Sequence, residues 1–437
     1  MTNKSGTERY RHAQVGWLMI VVGVMAWAET SAWGEFPKEV TITGRTIECR
    51  TAEEIRAIGL ECEEMPWQEN AARVYIEAMN AYVPASMEMQ KKGDAGVKQL
   101  DFGEDTKAIA EHLADNKHAL ELVKQANRMQ RSVFPVHKTA RITEMKILSL
   151  WPLWQLEREM MWRSVLQFQQ GKQDEAVESW REAMRVAEMT AKPAMMLFVM
   201  LEIAEEKGAV EAMDRMVKSG KMNEETLKEL GSAMKNVSRS SSQDFAKAVK
   251  AERAWHMAMV DDLLAGVDVL TAMGGVSRPE IDEVKWRTEF DANVTRKNLK
   301  AVYDFFDEEA SKPAWEALKA ENRFDAFWKK HEAEWDTTTQ MIALRTDQPL
   351  VASFKVHAQM DGLELRIALE RYKLAKKAYP KTLGELTPGY PKKTPTDPFS
   401  GKEYQYRTTD NGGFLLWSVG EDLEDNGGSD KDITFKN

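Results

Sequence analysis

Between Pro66 and Phe354 the chain is a string of helical periods cut by glycine and proline, which confines most of it to an α-helical fold. Apolar residues recur three and four apart over stretches too long to be strands. The spacing predicts helices over Asn70–Lys91, Glu104–Arg131, Arg141–Gln170, Asp174–Ala191 and Pro193–Ser219, then over Thr226–Asn236, Ser242–Met273, Asp282–Ser311 and Pro313–Arg345. Breaks are expected at Gly93/Gly96, Pro135, Gly171, Pro193, Gly220, Gly274-Gly275, Pro313 and Pro349, because proline lacks an amide and glycine costs backbone entropy. Met195–Leu201 is continuously apolar and is expected to be the most buried helix of this body. The 25 methionines suit irregular helix packing, so Met160, Met161, Met195 and Met196 read as core filling.

A length of 437 residues points to two or three folded units. The net charge of −10, with no long basic patch, argues against a general nucleic-acid binder. Within the body, Gly171-Lys172-Gln173-Asp174-Glu175-Ala176, with Trp180 and Ala183 downstream, resembles a tetratricopeptide hairpin. Its first helix departs from that pattern, placing Ser164 where the repeat has glycine, and no second copy follows at a period near 34. One helical hairpin with repeat-like packing is the expectation.

The C-terminal stretch, from about Ala358 to Asn437, changes character. Leu365, Ala368, Leu369 and Tyr372 share one helix face, and Pro380 is expected to stop that helix. Thr382 and Glu385 have capping-box spacing. Pro391, Pro395 and Pro398 impose extended or turned backbone. Two strand-like runs follow, Glu403–Arg407 and Phe414–Val419, around a turn carrying Asp410, Asn411, Gly412 and Gly413. Gly420–Asp432 then holds six acids against one lysine.

In order and spacing these pieces resemble the C-terminal part of the major pseudopilin of type II secretion. The matching residues are Ala368-Leu369 with Tyr372-Lys373, Tyr379-Pro380-Lys381-Thr382-Leu383, Asp397-Pro398-Phe399, Tyr404-Gln405-Tyr406, Ser418-Val419-Gly420 and Asp430-Lys431-Asp432-Ile433. The resemblance covers about a fifth of the chain and implies a small α+β module closed by a calcium-binding loop. After Gly6 or Gly16 the glutamate that pseudopilins carry at the fifth position of the N-terminal helix does not occur. The resemblance therefore extends to the module and not to the end that drives pilus assembly.

Met1 to about Ala28 reads as an export signal. Lys4, Arg9 and Arg11 precede an apolar run from Val15 to Ala28. Ala26-Trp27-Ala28 and Ala32-Trp33-Gly34 are acceptable cleavage sites. The alternative is a retained anchor, against which stands a run of about 14 residues where a span needs about 20. Residues 29–65 form an entry segment, with a brief strand at Val40–Gly44 and a capping box at Thr51 and Glu54. It carries both cysteines, Cys49 and Cys62. In an oxidising compartment they are placed to close a loop worth at most roughly 3 kcal/mol, and otherwise they are two buried thiols. Their spacing fits neither a redox CxxC nor a zinc site.

Catalytic motifs are lacking: none of the seven histidines forms HExxH, and there is no GxSxG, P-loop or GxGxxG. Acid pairs such as Glu205-Glu206 and Asp261-Asp262 read as solvated helix faces, and the scattered tryptophans as core or groove lining. The one chemical argument concerns the acidic loop. Calcium takes six to eight oxygens at flexible geometry. Asp422, Asp425, Asp430 and Asp432 are the candidate donors, with Gly427-Gly428 turning the loop back. By resemblance Asp422, Asp430 and Asp432 match best. A disordered acidic tail is the competing reading.

The expected protein is mainly α. A signal peptide (1–28) and entry segment (29–65) precede a multi-helix body (66–354), and a pseudopilin-like α+β module (355–437) ends the chain. The expected role is that of an exported, non-catalytic scaffold, periplasmic or extracellular, that binds a protein or envelope partner. It meets the membrane only if the N-terminal segment is retained. A membrane-tethered accessory of a secretion or pilus-like machine, and an envelope enzyme with a motif-free site, are the alternatives.

Overall fold

The computed structural model describes residues 37–436 apart from 145–148, 191, 193, 238–240, 268–285, 287, 345–346, 388, 390–392 and 430. The signal segment Met1–Ala28 and Gly274-Gly275 therefore lie outside the described residues. The chain is mainly helical with a small antiparallel sheet at its C-terminus.

A hairpin opens the fold. Strands β1 (Glu39–Ile42) and β2 (Arg45–Glu48) pair antiparallel across Thr43 and Gly44. Both turn residues have positive φ, which suits the right-handed twist of a two-residue hairpin. Thr51 caps α1 (Ala52–Ala57) in the capping box that its spacing to Glu54 predicts. Asn70 caps α2 (Ala71–Ala81), which ends ahead of Pro84, so the helix expected to reach Lys91 is cut short there. The hairpin is pinned to α2 by Asn80, whose amide donates to the Thr41 carbonyl (2.9 Å) and accepts from the Thr43 amide (2.6 Å).

Helix α3 (Met87–Gln99) runs straight through Gly93 and Gly96, which were expected to break it. Their role is close approach. A Cβ on Gly93 would sit 2.2 Å from the Trp162 ring, and one on Gly96 2.0 Å from the Phe102 ring. Helices α4 (Thr106–Asp115) and α5 (Lys117–Asn127) divide the expected Glu104–Arg131 helix at Asn116. That buried side chain is engaged instead with the backbone of Val83.

The most extensive helix–helix contact among the described residues is in the hairpin of α6 (Trp151–Gln169) and α7 (Gln173–Thr190). Gly171 turns it at positive φ. Ser164 is fully buried and donates to the Ala176 carbonyl at 2.7 Å, so a small hydroxyl does the joining at the position where glycine was considered. Trp180 fills the groove beyond and donates to the Ala209 carbonyl (2.9 Å) on α8 (Met196–Lys218). Helix α8 packs against both α7 and the last long helix, although Met200 in its apolar start is 45% exposed. Helices α9 (Glu224–Met234) and α10 (Ser241–Leu264) lead to α11 (Ala292–Ala310), which lies along α10. Where one helix was expected over Pro313–Arg345 there are three short ones: α12 (Ala314–Ala317), α13 (Phe324–Lys330) and α14 (Thr337–Ile342). An aromatic stack of Phe305, Phe306, Phe324, Phe327 and Trp328 occupies the space between α11 and α13.

Helix α15 (Gln348–Lys376) is 29 residues long and carries the expected body–module boundary inside it. Pro349 is no linker. It sits at the helix start, where its missing amide costs nothing. Asp347 fixes that start through a two-pronged ion pair with Arg323 (2.6 and 3.3 Å). Lys377, in the left-handed conformation, ends the helix three residues before Pro380. Strands β3 (Gln405–Thr408), β4 (Phe414–Ser418) and β5 (Ile433–Lys436) form one antiparallel sheet in that order. One face of α15 belongs to the main core through Val356, Met360, Leu363 and Ile367. Another joins Leu365 and Leu369 to Tyr379, Leu386, Tyr404, Phe414 and Leu416 of the module.

Candidate functional site

The C-terminal loop is organised by a residue that sequence reading used only as part of a motif. Asp397 is 1% exposed and accepts four hydrogen bonds. Its donors are the Phe399 amide (3.1 Å), the Ser400 hydroxyl (2.8 Å), the Ser418 hydroxyl (2.6 Å) and the Val419 amide (3.4 Å). It thereby joins the Asp397-Pro398-Phe399 turn to the end of β4. Gly420 follows at positive φ, where a Cβ would stand 2.4 Å from the Lys431 carbonyl, so only glycine lets the returning strand lie this close.

The acidic stretch closes on itself. Asp432, 8% exposed, accepts from the amides of Asn426 (3.3 Å), Gly428 (2.7 Å) and Ser429 (3.3 Å). Asp425 accepts from the Trp417 indole and from the Gly427 amide, both at 2.9 Å. Asp422 accepts from the Glu424 amide and the Asn426 side chain and pairs with Lys431 at 3.3 Å. Its carboxyl is held below the usual carboxylate range: these hydrogen bonds and Lys431 outweigh burial, the largest single influence, which acts upward. Asp430 lies outside the described residues. Among the described residues no three of His, Cys, Asp and Glu gather as ligands of one ion. A carboxylate offers about four lone-pair sites, and these amides use only some of them.

The module is locked to the body by Arg366 on α15. This guanidinium is 1% exposed, pairs with Asp214 of α8 at 2.6 Å, donates to the Lys436 carbonyl of β5 (3.1 Å), and lies over the Phe414 ring. A Cβ on Gly362 would fall 1.9 Å from the Phe435 ring, so β5 rests directly on the α15 backbone. Trp315 reaches from α12 to cover Gly401 in the same way.

The two cysteines stand as separate buried thiols, one of the two arrangements left open by sequence. Cys49 Sγ faces the Ile47 carbonyl and Cys62 Sγ the Glu63 carbonyl. Burial pushes Cys49 up to about 12 and Cys62 up to about 11, so both are protonated at neutral pH.

The acid pairs do not behave as solvated faces. Glu206 is 1% and Asp262 8% exposed. Asp262 pairs with Arg141 (2.8 Å) and accepts from Thr143, whereas Asp261 is exposed and pairs with Arg296. His256 is a neutral core residue, pushed down to about 4 by burial, with Nδ1 against the Glu252 carbonyl (2.8 Å) and the Tyr303 hydroxyl (2.6 Å). A second buried network sets Glu159 between His112 (2.7 Å) and the Tyr82 hydroxyl (3.0 Å). The Glu159 hydrogen bond raises His112 above the ordinary histidine range, against the pull of burial. Sequence reading missed the Tyr303–His256, His112–Glu159 and Tyr82–Glu159 contacts because each joins residues 47 or more apart in the chain. A cleft between α9 and α15, lined by Lys228, Lys235, Glu364 and Arg371, has about 30 Å³ of space, room for a water molecule.

No protein-family model, curated protein or solved structure matches this chain. Among the described residues no helix is long and apolar enough to cross a membrane.

Proposed function

We propose that this protein is an exported, non-catalytic helical scaffold that holds a pseudopilin-like module rigidly at its C-terminus for a protein or envelope partner. The observation that carries this reading is the sharing of α15. A tail on a flexible tether would need its own boundary, whereas here one helix contributes to both cores and Arg366 ties α8, α15 and β5 together. The α6–α7 hairpin, whose sequence spacing resembles a tetratricopeptide hairpin, supports this reading of the body. Calcium belongs to the reading by resemblance: Asp422, Asp425, Asp430 and Asp432 would hold it, and its two positive charges would offset part of the repulsion among the six acids of the loop.

Two measurements test this. The N-terminus of the protein made in its native host is expected to begin after Ala28 or Gly34, and an intact Met1 in the membrane fraction would replace a free scaffold with a tethered accessory. Calorimetric titration of the full chain is expected to detect calcium at millimolar concentration or below, and Tm is expected to rise with the stabilisation linkage gives, about 2.7 kcal/mol at a hundredfold excess over Kd. Asp432→Ala is expected to lower Tm even without calcium, because three loop amides lose their acceptor. Asp422→Ala, which strips one exposed amide, the Asn426 side chain and a lysine contact, separates metal loss from loop collapse. Absence of any calcium heat with the parent protein would reduce the loop to a self-closed turn.

A further inference from the structure

The middle of the helical body carries carboxylates that none of the foregoing uses. Glu202 on α8 is fully buried, and neither of its oxygens has a hydrogen-bond partner. One turn on, Glu205 has one oxygen without a partner and the other 3.5 Å from the Thr190 hydroxyl of α7. Glu157 of α6 is 4% exposed and faces Glu205. Asp244 of α10 is 1% exposed and also faces Glu202, with one oxygen on Lys247 at 3.3 Å and the other without a partner.

The charges around this group are mostly of its own sign. Among the described residues, Glu202 meets Glu206 on its own helix, Asp244 from α10 and Glu188 from α7, with Lys192 as the opposing cation. Glu205 meets Glu157 from α6 and Glu206. Glu157 meets Asp94 from α3, with Arg158 as its cation, and Arg158 is already paired with Asp94 at 2.6 Å. Glu205 is half-buried and the other two are buried, so ionised carboxylates here have little water and few counter-charges. A neutral acid is tolerable there, because it sheds the charge and keeps only the smaller cost of a polar group.

We propose that Glu157, Glu202 and Glu205 are carried inside the body as neutral carboxylic acids, so that acid locks the packing of α8 against α6, α7 and α10 and rising pH loosens it. Burial, and then the neighbouring acids, hold Glu202 and Glu205 well above the usual carboxylate range; burial lifts Glu157 to about 8. Such groups bind more protons folded than unfolded once the pH passes the unfolded value near 4.5. Stability is then fully present below that value and is lost as pH climbs through the folded values. This is the reverse of a surface carboxylate in an ion pair, whose contribution disappears in acid.

The test uses the full chain. Thermal melts from about pH 5 to about pH 9 are expected to show Tm falling as pH rises. Glu202→Gln keeps the shape and cannot ionise, so its melts are expected to fall less steeply and to lie above the parent at the alkaline end. Should that variant not fold, infrared spectra of the parent in heavy water decide the matter. A carbonyl band of protonated carboxylic acid is expected to persist near neutral pH and to fade towards the alkaline end. A Tm that stays level or rises with pH, or the lack of that band near neutral pH, overturns the proposal. So does recovery of the alkaline Tm by added manganese or calcium in the parent but not in Glu202→Gln, which would make the cluster a cation site.

Discussion

Single residues with buried partners decide the local shape more than propensity does. Asp397 has four donors and almost no contact with water, so its removal leaves the Ser418 hydroxyl and the amides of Phe399 and Val419 unpaired. Asp397→Ala is expected to cost roughly 3 kcal/mol in urea unfolding, at the upper end for loss of a charged acceptor. Glycines sort into two kinds by what a methyl group would meet. Gly93→Ala would drive Cβ into the Trp162 ring and is expected to destabilise by about 1–3 kcal/mol. Gly208→Ala, within α8 and with nothing inside 4 Å, is expected to stabilise by about 0.5–1 kcal/mol. Parallel melts of the two variants check the contrast. Both glycines lie inside helices, and only the distant ring distinguishes them; Gly93 was misread as a breaker because Trp162 is far off in the chain.

At the scale of elements, local signals were legible and long-range ones were not. The capping box at Thr51 and the turn at Gly171 with Trp180 behind it could be read directly, because each is settled within a dozen residues. Glu385 likewise accepts from the amides of Lys381 and Thr382 as its spacing foretells, on a short 3-10 turn. Strand β5 was not singled out: its four residues, Ile433–Lys436, gain their state from pairing with β4. The Pro313–Arg345 stretch has helical spacing, yet aromatic stacking on α11 holds it as three short helices. For α15, Gly362→Ala is expected to push Phe435 off the helix and free β5. Hydrogen exchange would then speed up over residues 405–436 while α2 keeps its protection. Equal acceleration in both would mean that α15 itself had been lost.

At the scale of the whole molecule, α15 spans the expected boundary between body and module. The proline at 349 suggested a seam, yet α15 begins there and carries residues of both the main core and the module's own cluster. Limited proteolysis is therefore expected to spare Asp347–Ser353, where Pro349, Leu350, Val351 and Ser353 are all buried. Prompt cutting there would restore the two-unit view. Of the candidate site, the loop and its glycines were visible in sequence because charge and turn chemistry are local. The interior acids were not, because Glu206 and Asp262 look like any solvated pair until the helices covering them are known.

The Arg366–Asp214 pair joins residues 152 positions apart, and the partner carbonyl on Lys436 is 70 positions further on. A chain made from its N-terminus therefore exposes the receiving face of α8 long before α15 emerges to cover it. Contacts of such span slow folding, since the intervening loop must close before they are formed. The nascent chain has to be kept from sticking to its neighbours for most of its synthesis. A product ending anywhere before Gln348 would lack α15 and leave the face of α8 that it covers bare, and would be a substrate for proteases rather than a smaller working protein.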